Sequence, residues 1–254
     1  MARSNLHGRA KIAVGWAGLL LLASSPVQAS AQDVDLPAAK PIAAALPSSS
    51  AQPDDAKVPT LPKVANFLHE RPSPEARRVA DWSVGSGDNG GLPYVVIDKV
   101  SARVFVFDAQ GQLRGESTAL LGLAKGDFTA PGIGTAKLAE IRPEQRTTPA
   151  GRFVATLGHD FQHDVLWVDY DAAISLHRVV AGNVGDHRLQ RLAASSPAEK
   201  RITYGCINVP AYFFDAVVLQ AFAGTTGIVY ILPEVRKLEQ VFPLLSGPSM
   251  DRKR

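Results

Sequence analysis

Apolar positions fall in three textures along this chain. The first is an unbroken run, "IAVGWAGLLLLA", Ile12 to Ala23. The second, residues 32–63, is rich in Ala, Pro and Ser, with no aromatic residue and no hydrophobic periodicity. Such a segment buries too little to order itself and reads as a disordered linker, here taken to residue 72. The third begins near Ser73. "SPEARRVADWSV" predicts a short helix, with Ser73 as its cap, Pro74 at its first position and Val79 and Trp82 on one face. The glycine-rich "GSGDNGG" at 85–91 ends it.

From Leu92 onward the pattern is that of strands. "YVVIDKV" (94–100) and "RVFVFDA" (103–109) are dense in Val, Ile and Phe, and a turn at 109–112 leads into 113–122. Further strands are expected at 152–158, 165–170, 173–179 and 227–233. Residues 123–150, rich in Gly and Pro, read as a long irregular loop, and loops of that length often carry function. The segment 180–201 has room for a short helix, and 211–223 fits another. One mainly β domain with a few helices follows, over residues 92–233, with 234–254 left as a tail.

Composition alters this picture at the N-terminus. Arg3, Arg9 and Lys11 precede the 12-residue apolar run, and small residues ending at Ala29 and Ala31 follow it. That layout predicts a secretory signal over residues 1–31, because the run falls short of the ~20 residues that span a bilayer. An exported protein, in the periplasm or cell-wall space and without stable membrane insertion, is expected. The chain has 27 Lys+Arg against 24 Asp+Glu, and the first 31 residues hold three of the bases and no acid. The remainder balances at 24 against 24, which gives no argument for nucleic acid.

Export changes the meaning of Cys206, the one cysteine of the chain. Structural cysteines in an oxidising compartment come in pairs. An unpaired one is a buried hydrophobe, a handle for intermolecular pairing, or a nucleophile. No spacing of His, Cys and Asp suggests a structural metal, and "HDFQHD" at 159–164 reads as a solvated turn between two strands. No cofactor is expected.

"VVIDKVSARVFVFDAQGQLRGESTALLG", "RTTPAGRF", "ISLHR" and "TYGCINV", in that order, together resemble the L,D-transpeptidase (YkuD-type) catalytic domain. Thr203, Gly205, Cys206, Ile207 and Asn208 fit that family's cysteine motif. Tyr204 departs from it by standing where the family usually has a second histidine, and the spacer after His177 is longer than usual. The resemblance implies a β-sandwich or barrel-like sheet and a cysteine that attacks peptidoglycan stem peptides. It would expel D-alanine after diaminopimelate and pass the thioester to an amine on another stem or on a lipoprotein. A thiol amidase or carboxypeptidase of the same fold, and a non-catalytic cell-wall binding domain, are the alternatives.

Acyl transfer asks for a base beside the thiol and N–H groups aimed at the oxyanion. The N–H groups of Tyr204, Gly205 and Cys206 are candidates for the latter. For the base, His187 has 15 residues between it and Thr203, the family's spacing, and His177 has 25. His177 ends the apolar strand "AISLHRV", which holds a side chain more firmly than the charged "GDHRLQR" around His187, so His177 is the expected base. Arg178 is a candidate for a substrate carboxylate or for a structural ion pair, and Asn208 for the substrate or for its own turn.

Overall fold

The computed structural model describes residues 63–246, apart from 161 and 181. The expected signal, linker residues 32–62 and tail residues 247–254 lie outside the described residues. Ten strands occur in chain order: β1 Tyr94–Asp98, β2 Arg103–Phe107, β3 Leu113–Thr118, β4 Leu121–Gly122, β5 Gly151–Asp160, β6 His163–Asp169, β7 Ile174–Arg178, β8 Arg201–Thr203, β9 Ile207–Val209 and β10 Thr226–Ile231. Eight of them form one sheet in the order β3-β2-β1-β10-β5-β6-β7-β9, and β4 pairs with β8. Pairing is antiparallel except at β1–β10, β7–β9 and β4–β8. The two edges of the large sheet nearly meet. Leu120, just past β3, exchanges both backbone hydrogen bonds with Asn208 of β9, at 2.8 and 2.9 Å. The fold is therefore mainly β, a nearly closed eight-stranded barrel.

The central strands are buried on both faces, which explains their near-continuous apolar runs. Val95, Ile97, Val104, Val106, Val229 and Ile231 point into the barrel core. A helical segment over residues 211–222, α3 below, brings Phe213, Phe214, Val218 and Phe222 to the same core. It is π-helical at Phe214–Val218. The other face carries Tyr94, Val96, Phe105, Phe107 and Tyr230, covered by α1, Pro74–Ser86. Ser73 caps α1, its Oγ accepting from the Ala76 N–H at 3.1 Å, and Gly87 closes it in the left-handed region at φ 77°. Two further helices, α2 Arg188–Ala193 and Leu238–Val241, lie outside the barrel strands.

Two boundaries expected from the sequence shift. Residues 63–72 are not linker. Ala65 and Phe67 are buried, and Asn66 bridges Gln112 next to β3. The tail does not begin at 234, because Leu238 and Phe242 are buried in the α1 cluster. Both stretches cover a hydrophobic sheet face that 92–233 alone would leave in water.

Candidate active site

Cys206 lies in the turn between β8 and β9. Thr203 organises that turn, its Oγ1 accepting from the Gly205 N–H at 3.1 Å and donating to the Cys206 carbonyl at 2.6 Å. Thr148, from the end of the long loop, donates to the Gly205 carbonyl at 2.8 Å and accepts from the Gly122 N–H at 2.9 Å. Gly205 has φ 134°, and a Cβ there would lie 2.7 Å from the Thr147 carbonyl oxygen and from Ile174 Cδ1. Close packing plus positive φ therefore require glycine. Its N–H, expected as an oxyanion donor, is taken by Thr203. The N–H groups of Tyr204 and Cys206 have no backbone or side-chain partner among the described residues.

The register of β7 and β9 decides what meets the thiol. Leu176 pairs with Ile207 and His177 with Asn208. Alternation along a strand puts Ser175 and His177 on one face, with Cys206 and Asn208 beside them, while Leu176 and Ile207 point into the core. Ser175 Oγ lies 3.7 Å from Cys206 Sγ, and the thiol donates to the Ala173 carbonyl at 3.5 Å. His177, two positions further along β7, meets Asn208, with Nε2 2.9 Å from Nδ2. Its Nδ1 lies 2.8 Å from the Arg178 carbonyl oxygen. A carbonyl only accepts, so Nδ1 carries the proton. Burial pushes the Cys206 thiol above its ordinary range and holds His177 below its own, although the Arg178 carbonyl opposes the latter. The thiol thus rests protonated and the imidazole neutral, and they are not hydrogen-bonded to each other: Sγ contacts Ser175 and the Ala173 carbonyl, while the ring nitrogens meet Asn208 and the Arg178 carbonyl.

His187 stands elsewhere. It is exposed, in the left-handed region at φ 49°, at the start of α2, and the β7–β9 rungs do not include it. Arg178 is committed, donating to Asp215 Oδ1 at 2.7 Å from Nε, lying 3.5 Å from Asp164 and stacking 4.6 Å over Phe214. Of its two sequence-derived roles, the structural pair is the one the geometry displays. The Tyr204 ring lies 4.0 Å under the Arg146 guanidinium, whose N–H groups also donate to the Ile141 carbonyl. His159, Asp160, Gln162 and His163 are exposed where β5 passes to β6, and His159 lies 3.0 Å from Asp164. Among the described residues no group of three or more His, Cys, Asp or Glu side chains could hold a metal ion.

Three site residues were not expected from the sequence. Ser175 was accessible, since it lies two positions before His177 on a strand. Thr148 and Arg188 carried no signal, because each reaches the site from a loop or helix distant along the chain.

No family model matches the sequence, and no curated protein does. Solved structures give distant similarity. The helical cell shape determining protein Pgp2 from Campylobacter jejuni is 15% identical with a TM-score of 0.38, over 69% of this chain and 62% of that one. An L,D-transpeptidase from Xylanimonas cellulosilytica is 16% identical with a TM-score of 0.34, over 55% of this chain and 60% of that one. An L,D-transpeptidase from Enterococcus faecium is 16% identical with a TM-score of 0.31, over 55% and 49%. The chain thus spans less than two thirds of each of these structures. No helix among the described residues is long and apolar enough to cross a membrane.

Proposed function

We propose that this chain is an exported, cysteine-dependent L,D-transpeptidase acting on peptidoglycan stem peptides, with a part in cell-wall biogenesis and cell shape. The observation that carries the reading is the pairing of β7 with β9. It lines up, along one face, an imidazole on β7 whose Nδ1–H is tied to a backbone carbonyl and the β8–β9 turn that carries the thiol and two unpartnered N–H groups.

In this reading the thiol proton passes to His177 Nε2 as Sγ attacks the stem-peptide carbonyl. The oxyanion is met by the N–H groups of Cys206 and Tyr204. The proton then leaves with the departing amine of D-alanine, and a thioester remains on Cys206. An acceptor amine, on another stem or on a lipoprotein, attacks it and restores the thiol. Removing water from this sequence of steps distinguishes transfer from hydrolysis, so a thiol carboxypeptidase uses the same residues.

The test incubates the protein with a tetrapeptide stem and follows products by mass spectrometry. Loss of D-alanine with formation of cross-linked dimers is expected, abolished in Cys206→Ala. A free tripeptide without dimers would establish the hydrolytic alternative. Absence of any turnover, with the thiol shown reduced and a carbapenem leaving residues 202–210 unlabelled, would establish a non-catalytic domain.

A further inference from the structure

The His177 ring belongs to a longer chain of hydrogen bonds that enters from α2. Asn208 Oδ1 accepts from Arg188 Nη1 at 3.2 Å, and Arg188 Nε donates to Asp186 Oδ2 at 2.9 Å. The direction of every bond in this chain is determined. The Arg178 carbonyl accepts, so His177 Nδ1 donates. In the neutral ring Nε2 must then accept, so Asn208 turns its NH2 toward it and its oxygen away. Arg188, which only donates, meets that oxygen.

The segment that supplies Arg188 is built to hold it. Its side chain is 17% exposed. Arg191 clamps the same turn, donating to the Asp186 carbonyl and to the Glu199 carbonyl, both at 2.9 Å. Gly182, at φ 63°, passes so close that a Cβ would lie 2.8 Å from Arg188 Nε and 3.0 Å from Asp186 Oδ2.

We infer that Arg188 is a positioning residue for the base: through Asn208 it fixes which amide atom meets the imidazole, and it restrains His177 from taking the thiol proton until that contact opens. An amide donor on Nε2 stabilises the neutral ring, and a nearby guanidinium opposes a second positive charge. Both effects lower the basicity of His177. The other charged or titratable side chains acting on the ring are Asp160 and His163 from the β5–β6 hairpin, Asp160 in the opposite sense to Arg188 and His163; Arg178 meets the ring through its backbone carbonyl alone, its guanidinium being held by Asp215 and Asp164. The stretch 180–201, which lengthens the spacer between His177 and Cys206, thus gains a chemical role. Calling His177 the base rests on the proposed function; the bonding pattern does not.

The test uses the whole chain labelled with 15N. Long-range 15N–1H correlation reads the His177 tautomer and titration, and iodoacetamide alkylation of Cys206 at neutral pH reads thiol reactivity. The wild-type protein is expected to show the Nδ1–H form, with a titration below the ordinary histidine range. Arg188→Ala is expected to mix the tautomers, raise the His177 titration and speed alkylation severalfold. Arg188→Lys, which keeps a charge and a donor within reach of Asn208, is expected to restore the wild-type pattern. Asn208→Asp, which offers Nε2 only acceptors, covers the case in which Arg188→Ala does not fold, and is expected to raise the titration strongly. If Arg188→Ala loses stability but keeps the wild-type tautomer, titration and alkylation rate, Arg188 is a packing residue and the inference is wrong; an unmoved titration in Asn208→Asp overturns it equally. A protein with all the expected shifts but no stem-peptide turnover defeats the proposed function and leaves this inference standing.

Discussion

Gly205 carries the tightest local constraint in the site. Its φ of 134° and the 2.7 Å approach of the Thr147 carbonyl leave no room for a methyl group. Gly205→Ala is expected to cost about 1–3 kcal/mol in a denaturant titration, from backbone strain alone. Stem-peptide turnover should fall further than stability does, because the displaced turn carries both the nucleophile and the two free N–H groups. Tyr204 is constrained differently. Its ring stacks on Arg146, and its hydroxyl has no partner among the described residues. Tyr204→Phe should therefore retain most turnover, whereas Tyr204→Ala should lose the stacking and part of the activity. Collapse of Tyr204→Phe with an intact fold would make the hydroxyl essential and this role wrong. Acid sensitivity also belongs to single residues. Burial depresses the His177 titration, so its contribution to stability is present above about pH 6.5, the ordinary histidine value. That contribution is lost as pH falls through the lower folded value. Unfolding midpoints should drop between neutral and mildly acid pH, and less steeply in His177→Gln. At this scale the sequence was informative where chemistry is local. Cys206 stood out by its isolation and His177 by the apolar strand it ends. The commitment of Gly205's N–H to Thr203 was not legible, because a turn's internal hydrogen bond is not written in residue types.

Among elements, the long loop is held to the barrel by a buried charge cluster. Lys99, fully buried just past β1, donates to the Gly126 carbonyl at 2.6 Å and to Asp127 Oδ1 and the Thr148 carbonyl, both at 2.8 Å. Glu234 lies 3.6 Å from Lys99 and pairs with Arg201 of β8. Asp127 also accepts from the N–H groups of Glu234, Val235 and Arg236. Burial pushes the Asp127 carboxyl up, but Lys99 and these N–H groups prevail and hold it below the ordinary carboxylate range. Removing one partner from such a cluster strands the others. Lys99→Met is expected to cost about 3–5 kcal/mol in equilibrium unfolding. It should also loosen Thr148, and with it the Gly205 carbonyl that Thr148 fixes. A loss below about 1 kcal/mol would mean that the cluster is not closed in the folded protein. The strands β1, β2, β5, β6, β7 and β10 follow from runs of Val, Ile and Phe. The short strands β8 and β9, three residues each, do not. They pair because the barrel presents them with partners, and three residues are too few for a period to show.

For the molecule as a whole, the boundary of the folded unit has measurable consequences. Phe67, in a stretch that reads as linker, is 2% exposed and packs edge-to-face on Phe105 and Phe107, with ring centroids 5.4 and 5.0 Å apart. Phe67→Ala is expected to cost about 3–5 kcal/mol, as for a core aromatic residue. An effect below about 1 kcal/mol would return residues 63–72 to the linker. Phe67 was illegible because a single aromatic beside polar residues shows no periodicity; only the exposed far face of β1 and β2 demands it. Closure of the barrel at Leu120 and Asn208 has a different consequence. The backbone of Asn208 joins the two edges, while its side chain meets the base. Hydrogen–deuterium exchange at the Leu120 and Asn208 amides therefore reads the breathing of the seam. Where opening carries the Asn208 side chain with it, the rate at which those two protons wash out is a floor under the rate at which the imidazole is released, because exchange cannot outrun opening.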